Sequence, residues 1–154
     1  MNFAQVARVL AGFTVFFTLS QLVPLLLALG ETANERTNPL AGFCASLVIG
    51  ILVAGILAAA GSRAQGQIFR KEAIAIAGFS WLLASVLGAI PFQWSGLLPD
   101  PIDAVFETAS GLTTCGATVL GTAGNPAPEQ TPQSLLLWRA LTQWIGGIGI
   151  VLVF

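Results

Sequence analysis

Apolar residues run through this chain in long blocks rather than in alternation. Residues 9–29, 40–60 and 73–92 each carry few charges. Each is close to the roughly 20 residues that a helix needs to cross a hydrocarbon core. A fourth apolar block opens near Pro132 and is still running at Phe154. No glycine-proline pair or basic cluster stops it there, so the pattern predicts a last span that continues beyond the sequence.

The segment between the third and fourth blocks has a different texture. Asp100-Pro101 reads as an N-cap followed by a proline at the first helical position, with Asp103 in the first turn. Ile102, Val105, Phe106, Ala109 and Leu112 then recur at helical spacing. A helix of about ten residues within 101–112 is predicted, about 15 Å long at 1.5 Å per residue, or half a bilayer. Residues 113–118, Thr-Thr-Cys-Gly-Ala-Thr, lose the helical period. A turn-rich return follows, and Thr131-Pro132 is a second cap-plus-proline start. The order is therefore span, half-length helix, irregular segment, return loop, span. Irregular backbone at membrane depth is tolerated only where it packs in protein or lines a wet cavity.

Composition agrees with the membrane reading. The chain is 55% hydrophobic and only 8% charged, with a mean hydropathy of +0.84. Soluble domains carry roughly 25% charge, so too little is present to cover a surface in water. The net charge of −1 offers no basic patch for nucleic acid, and the absence of histidine removes His-based metal sites and Ser-His-Asp chemistry. No acid–base pair with enzymatic spacing stands out, and no cofactor is expected. Cys44 lies inside an apolar block, where a thiol behaves as a small hydrophobe. The first block is long for a signal peptide and lacks an A-x-A site, so a retained helix is predicted.

Charge sets an expected orientation. Arg63, Arg70 and Lys71 oppose only Glu72 between the second and third blocks, whereas Gln93–Gln133 holds four acids and no Lys or Arg. The positive-inside rule puts the former loop and the N-terminus, with Arg8, in the cytoplasm, and the latter segment outside. Trp94 and Trp138 fall near span ends, where aromatic belts form. Pro24 predicts a kink in the first span.

A cation pathway needs oxygens in place of the ion's hydration shell, and backbone carbonyls supply them in potassium filters. Glycine gives the backbone freedom that aligned carbonyls require. A short helix aiming its C-terminus at the site adds partial negative charge. Thr113, Thr114, Cys115 and Gly116 meet these requirements directly after the half-length helix. The competing reading of 113–118 is a re-entrant turn that packs and conducts nothing. Glu107 and Arg139 are charges at membrane depth, costly and often functional. Either they pair and buttress the irregular segment from behind, or both reach water at the outer surface. Gly146, Gly147 and Gly149 point to close helix packing rather than to a flexible joint.

"FETASGLTTCGATVL" followed by "LLLWRALTQWIGGIGIVL" resembles the first pore repeat of the TrkH/KtrB family of potassium uptake proteins. The two leading spans and "FRKEAIAIAGFSWLLASVLGAIPF" resemble its TrkH branch. The resemblance implies an all-α membrane protein. Two N-terminal transmembrane helices occupy 1–65, and one membrane–pore-loop–membrane repeat of potassium-channel-like fold occupies 66–154. Such proteins carry four repeats, each giving a quarter of a filter centred on one glycine, which Gly116 matches. Backbone carbonyls of Thr113, Thr114, Cys115 and Gly116 would then hold K+, with Thr114 and Cys115 foremost. Cys115 stands where members commonly have threonine, a change that backbone ligation should tolerate. The resemblance further implies the bacterial inner membrane, a cytosolic nucleotide-binding regulatory partner, and a homodimer of full-length chains. One repeat is one quarter of a ring, so two alternatives stay open: a one-repeat homotetrameric channel, or a non-conducting membrane scaffold.

Overall fold

The computed structural model describes residues 2–31, 37–62, 64, 69–122 and 124–153, with side chains through Gly149. Arg63 and the charges at 35 and 36 lie outside the described residues, as do the side chains beyond Gly149 in the fourth block. The described chain is helical, in the order α1 (Phe3–Ser20), α2 (Leu22–Ala28), α3 (Pro39–Ala60), α4 (Arg70–Trp94), α5 (Pro101–Leu112) and α6 (Gln133–Val153), with a short 3-10 turn at Pro128–Gln130. No strand occurs among the described residues.

Among the described residues three stretches are long and apolar enough to cross a membrane: Phe3–Ala28, Pro39–Ala60 and Arg70–Trp94. Their exposed faces carry large apolar side chains, among them Phe16, Leu26, Ile51, Ile56, Ile74 and Leu82. Such faces are costly in water and at home in lipid. The chain is an all-α membrane protein.

Local chemistry explains the helix ends. Asn2 caps α1 by accepting from the Gln5 N–H, and Asn38 caps α3 by accepting from the Ala41 N–H just before Pro39. Residues 9–29 were expected as one span; the helix starts earlier, at Phe3, and is interrupted at Gln21. Pro24 has no N–H to give to Ser20, so the regular ladder fails there. Pro91 interrupts the last turn of α4 in the same way, and would leave the Leu87 carbonyl without its donor. The Ser46 hydroxyl of α3 donates to that carbonyl at 3.4 Å. Hydroxyls of neighbouring helices commonly re-satisfy backbone freed by proline in membranes.

Helices approach closely where one of them offers no side chain. A Cβ on Gly50 would lie 2.3 Å from Thr18 Oγ1, and one on Gly42 would lie 2.6 Å from the Pro91 carbonyl oxygen. These contacts lock α3 between α1 and α4, as small residues do in membrane bundles. At one end of the bundle Arg8 donates to the Ala64 carbonyl and the Asn2 N–H to Glu72. At the other end the Asn38 N–H donates to the Ser95 carbonyl, and Glu31 meets Ser134. The basic end that charge assigned to one side is therefore a single end in space.

Trp138 does not sit in an aromatic belt. It is fully buried, donates from Nε1 to the Gly88 carbonyl at 2.9 Å, and stacks edge-on against Phe17 with ring centroids 5.4 Å apart. The Gly88 carbonyl lies one turn before Phe92, beside the proline break. A buried indole N–H needs such a partner.

Candidate functional site

The half-length helix α5 begins as the sequence predicts. Asp100 accepts from the Ile102 N–H at 2.8 Å, Pro101 takes the first helical position, and Asp103 lies in the first turn. Twelve residues make it about 18 Å long. Its apolar stripe is split between faces: Leu112 is buried and Val105 packs against the core. Ile102 and Phe106 are exposed, whereas Ala104, Glu107, Thr108 and Gly111 are buried. Small and polar groups share the inward face here, because lipid is as apolar as leucine and does not drive every apolar residue inward.

The end of α5 sets up the irregular segment. The Thr114 N–H donates to the Gly111 carbonyl at 2.9 Å, and the Cys115 N–H donates to the Ser110 carbonyl at 3.1 Å. This pair of bonds is a Schellman termination, which places one residue in the left-handed region, normally glycine. That residue here is Thr114, at φ 57°. A β-branched side chain at positive φ is a marked outlier that costs about 1–2 kcal/mol. Strain of this kind is concentrated at functional sites. Gly116 follows, also left-handed at φ 75°.

Hydrogen bonds fix what comes next. The Ser110 hydroxyl donates to the Ala117 carbonyl at 2.6 Å. The Glu107 carboxylate, on a side chain with no exposure, accepts the Thr118 hydroxyl at 2.9 and 3.0 Å and the Val119 N–H at 3.0 Å. Arg139 of α6 closes the arrangement. Its Nε forms an ion pair with Glu107, and its Nη2 donates to the Gly116 carbonyl at 3.2 Å. Of the two sequence alternatives for Glu107 and Arg139, the structure adopts the pair; Arg139 keeps 28% side-chain exposure. A buried pair is favourable only when its remaining lone pairs are satisfied, and here they are.

Thr113, Thr114, Cys115 and Gly116 thus lie consecutively on one exposed edge. Among the described residues the carbonyls of Thr113, Thr114 and Cys115 accept no hydrogen bond, whereas those of Gly116 and Ala117 each accept one. Three adjacent oxygens are available to an external ligand, and α5 directs its partial negative end at them. The described residues contain no cluster of His, Cys, Asp or Glu suited to a metal. Cys44 and Cys115 are free thiols, both exposed.

Sequence reasoning missed the roles of Ser110, Thr118 and Thr142. Ser110 carries no local mark, and its use appears only once the loop folds back. Thr142 seats against Gly111, where a Cβ would fall 2.4 Å from its Oγ1.

The glycines of α6 differ among themselves. A Cβ on Gly146 would lie 2.0 Å from the Leu112 carbonyl oxygen, whereas one on Gly147 or Gly149 would meet nothing closer than 3.8 Å. Close packing is thus the role of Gly146. Gly146→Ala should destabilise the protein by about 1–3 kcal/mol through overpacking. Gly147→Ala should leave it near wild type. Thermal midpoints in detergent compare the two.

Comparison with known proteins shows what the chain is similar to. The cation transport protein family TrkH matches residues 41–154. The Trk system potassium uptake protein TrkH of Halomonas elongata is 29% identical over 99% of the chain, and that of Escherichia coli K12 is 28% identical over the same share. An uncharacterized cation transporter of Methanocaldococcus jannaschii is 31% identical over 96% of it. The chain spans about 30% of the length of these relatives. No solved structure matches. The match over three quarters of the sequence means that this chain belongs to the TrkH family of cation transport proteins.

Proposed function

We propose that this chain forms the first quarter of a K+ pathway in a potassium uptake protein of the bacterial inner membrane. The observation that carries the reading is the run of three carbonyls at Thr113, Thr114 and Cys115, which accept no hydrogen bond among the described residues, on an exposed segment that follows α5 and is braced by Glu107 and Arg139. A hydrated K+ arriving from outside sheds water onto these oxygens, with Thr114 and Cys115 the main ligands. Gly116 shares its carbonyl with Arg139. The ion then passes inward down its electrochemical gradient. In this reading residues 1–65 form a leading helical pair and 66–154 the pore repeat. The N-terminus faces the cytoplasm, where Arg8, Arg70 and Lys71 gather. A cytosolic nucleotide-binding partner and a homodimer of full-length chains complete the assembly, on the strength of the family resemblance. Further repeats supply the rest of the ring.

Expression of the full-length chain in a strain lacking K+ uptake should restore growth at low K+ and drive Rb+ uptake. Cys115→Thr should keep uptake within about threefold of wild type, because the ligand is backbone and the side chain is not. If the full-length chain reaches the membrane and moves neither K+ nor Rb+, the reading is wrong.

A further inference from the structure

The two leading helices contribute no carbonyl to the proposed filter, yet they hold the helix that braces it. Ser134 stands at the start of α6, fully buried. Its N–H donates to Glu31 Oε1 at 2.8 Å, and its hydroxyl donates to Glu31 Oε2 at 2.5 Å. Thr131, which the sequence offered as the cap of α6, instead donates its hydroxyl back to the Ala127 carbonyl at 3.2 Å. The α6 N-terminus is therefore capped from a distance of 103 residues, by the residues that follow α2. A carboxylate suits that place, because the first turn leaves N–H groups unpaired and carries partial positive charge.

A second tether acts independently. Phe17 of α1 packs edge-on against Trp138 of α6, and both are fully buried. Trp138 is the residue before Arg139. Ser134 precedes Arg139 by about 7.5 Å along the helix axis, at 1.5 Å per residue. Any slide or rotation of α6 displaces the Arg139 guanidinium from Glu107 and from the Gly116 carbonyl together, since one planar group holds both.

We infer that Glu31 is a positioning residue for the ion pathway: it fixes α6 along its axis and thereby sets where Arg139 holds the carbonyl of Gly116. The leading helical pair is in this view a clamp on filter geometry rather than a membrane anchor. The inference rests on the proposed function.

The test uses the full-length chain in proteoliposomes, with K+ and Na+ fluxes measured separately. Wild type should favour K+. Glu31→Ala should be recovered in normal amount and lose about fivefold or more in the K+ to Na+ flux ratio, a coupling of the size seen for residues that touch no ligand. Glu31→Gln, which keeps an acceptor for the Ser134 N–H, should recover part of the ratio. Glu31→Ala combined with Ser134→Asp supplies a carboxylate to the helix end without the tether. That double variant should remain unselective, and a restored ratio would show that Glu31 is only a cap and overturn the inference. Should Glu31→Ala fail to accumulate, Ser134→Ala carries the same test by removing one of the two bonds, with a smaller loss of ratio expected. A wild-type ratio in Glu31→Ala, or in Ser134→Ala where that variant stands in, overturns the inference and leaves the proposed function standing. A wild-type protein that moves no K+ overturns both.

Discussion

Gly116→Asp in the full-length chain should reduce K+ uptake to background while the protein still reaches the membrane. Two separate physical effects act at this position. The first is conformational: Gly116 sits at φ 75°, where an L side chain costs about 1–2 kcal/mol. The second is electrostatic. Arg139 already donates to the Gly116 carbonyl, so a carboxylate on the same residue would compete with Glu107 for the guanidinium. It would also set a fixed negative charge beside the carbonyls that the ion must enter and leave, and conduction requires binding weak enough to release. Crowding is not a third effect, since a Cβ here would meet nothing closer than Gln143 Nε2 at 4.0 Å. Gly116→Ala therefore isolates the backbone term: it should lower the thermal stability by about 1–2 kcal/mol and retain more uptake than Gly116→Asp. Growth at low K+ and initial Rb+ uptake, normalised to membrane protein, measure both variants. Wild-type uptake by Gly116→Asp would remove Gly116 from the ion pathway.

The difference in how these features could be read from sequence has a physical cause. Apolar runs and capping residues are local, so the second and third spans could be read to within a few residues from hydropathy, and α5 from Asp100-Pro101. Charges at membrane depth are so costly that Glu107 and Arg139 drew attention before any fold was known. What escaped was set by tertiary contact or by strain. No propensity places threonine in a left-handed helix terminus, yet Thr114 is there because the Schellman bonds to Ser110 and Gly111 hold it. Glu31 caps α6 across 103 residues, which no window along the chain can detect. Trp138 looked interfacial by position and is buried because Phe17 and the Gly88 carbonyl meet it. The apolar stripe of α5 gave the right period but no buried face: Leu112 turns in while Ile102 and Phe106 stay exposed, since hydropathy does not say which side of a membrane helix meets protein.

Glu107→Ala should be the most destabilising single substitution in the repeat. The Glu107 side chain has no exposure and joins three groups: the Thr118 hydroxyl, the Val119 N–H and the Arg139 guanidinium. Removing it strands the Val119 N–H and leaves Arg139, 28% exposed, without its partner, a loss of about 2–4 kcal/mol. Glu107→Gln is subtler. The amide keeps one acceptor but turns its NH2 toward groups that are themselves donors, so roughly 1–3 kcal/mol should be lost. The K+ to Na+ flux ratio should fall with it. Glu107→Leu with Arg139→Leu then separates two roles of the pair. Apolar replacement of a buried ion pair is often neutral for stability, so the double variant should regain most of the thermal midpoint lost in Glu107→Ala. It should not regain the flux ratio, because nothing then holds the Gly116 carbonyl or the Thr118–Val119 return. If stability and selectivity recovered together, the pair would be packing alone. If Glu107→Gln kept both wild-type expression and wild-type selectivity, the bracing role of the carboxylate would fall. Recovery of the fold without recovery of selectivity is the outcome that ties this ion pair to the ion pathway.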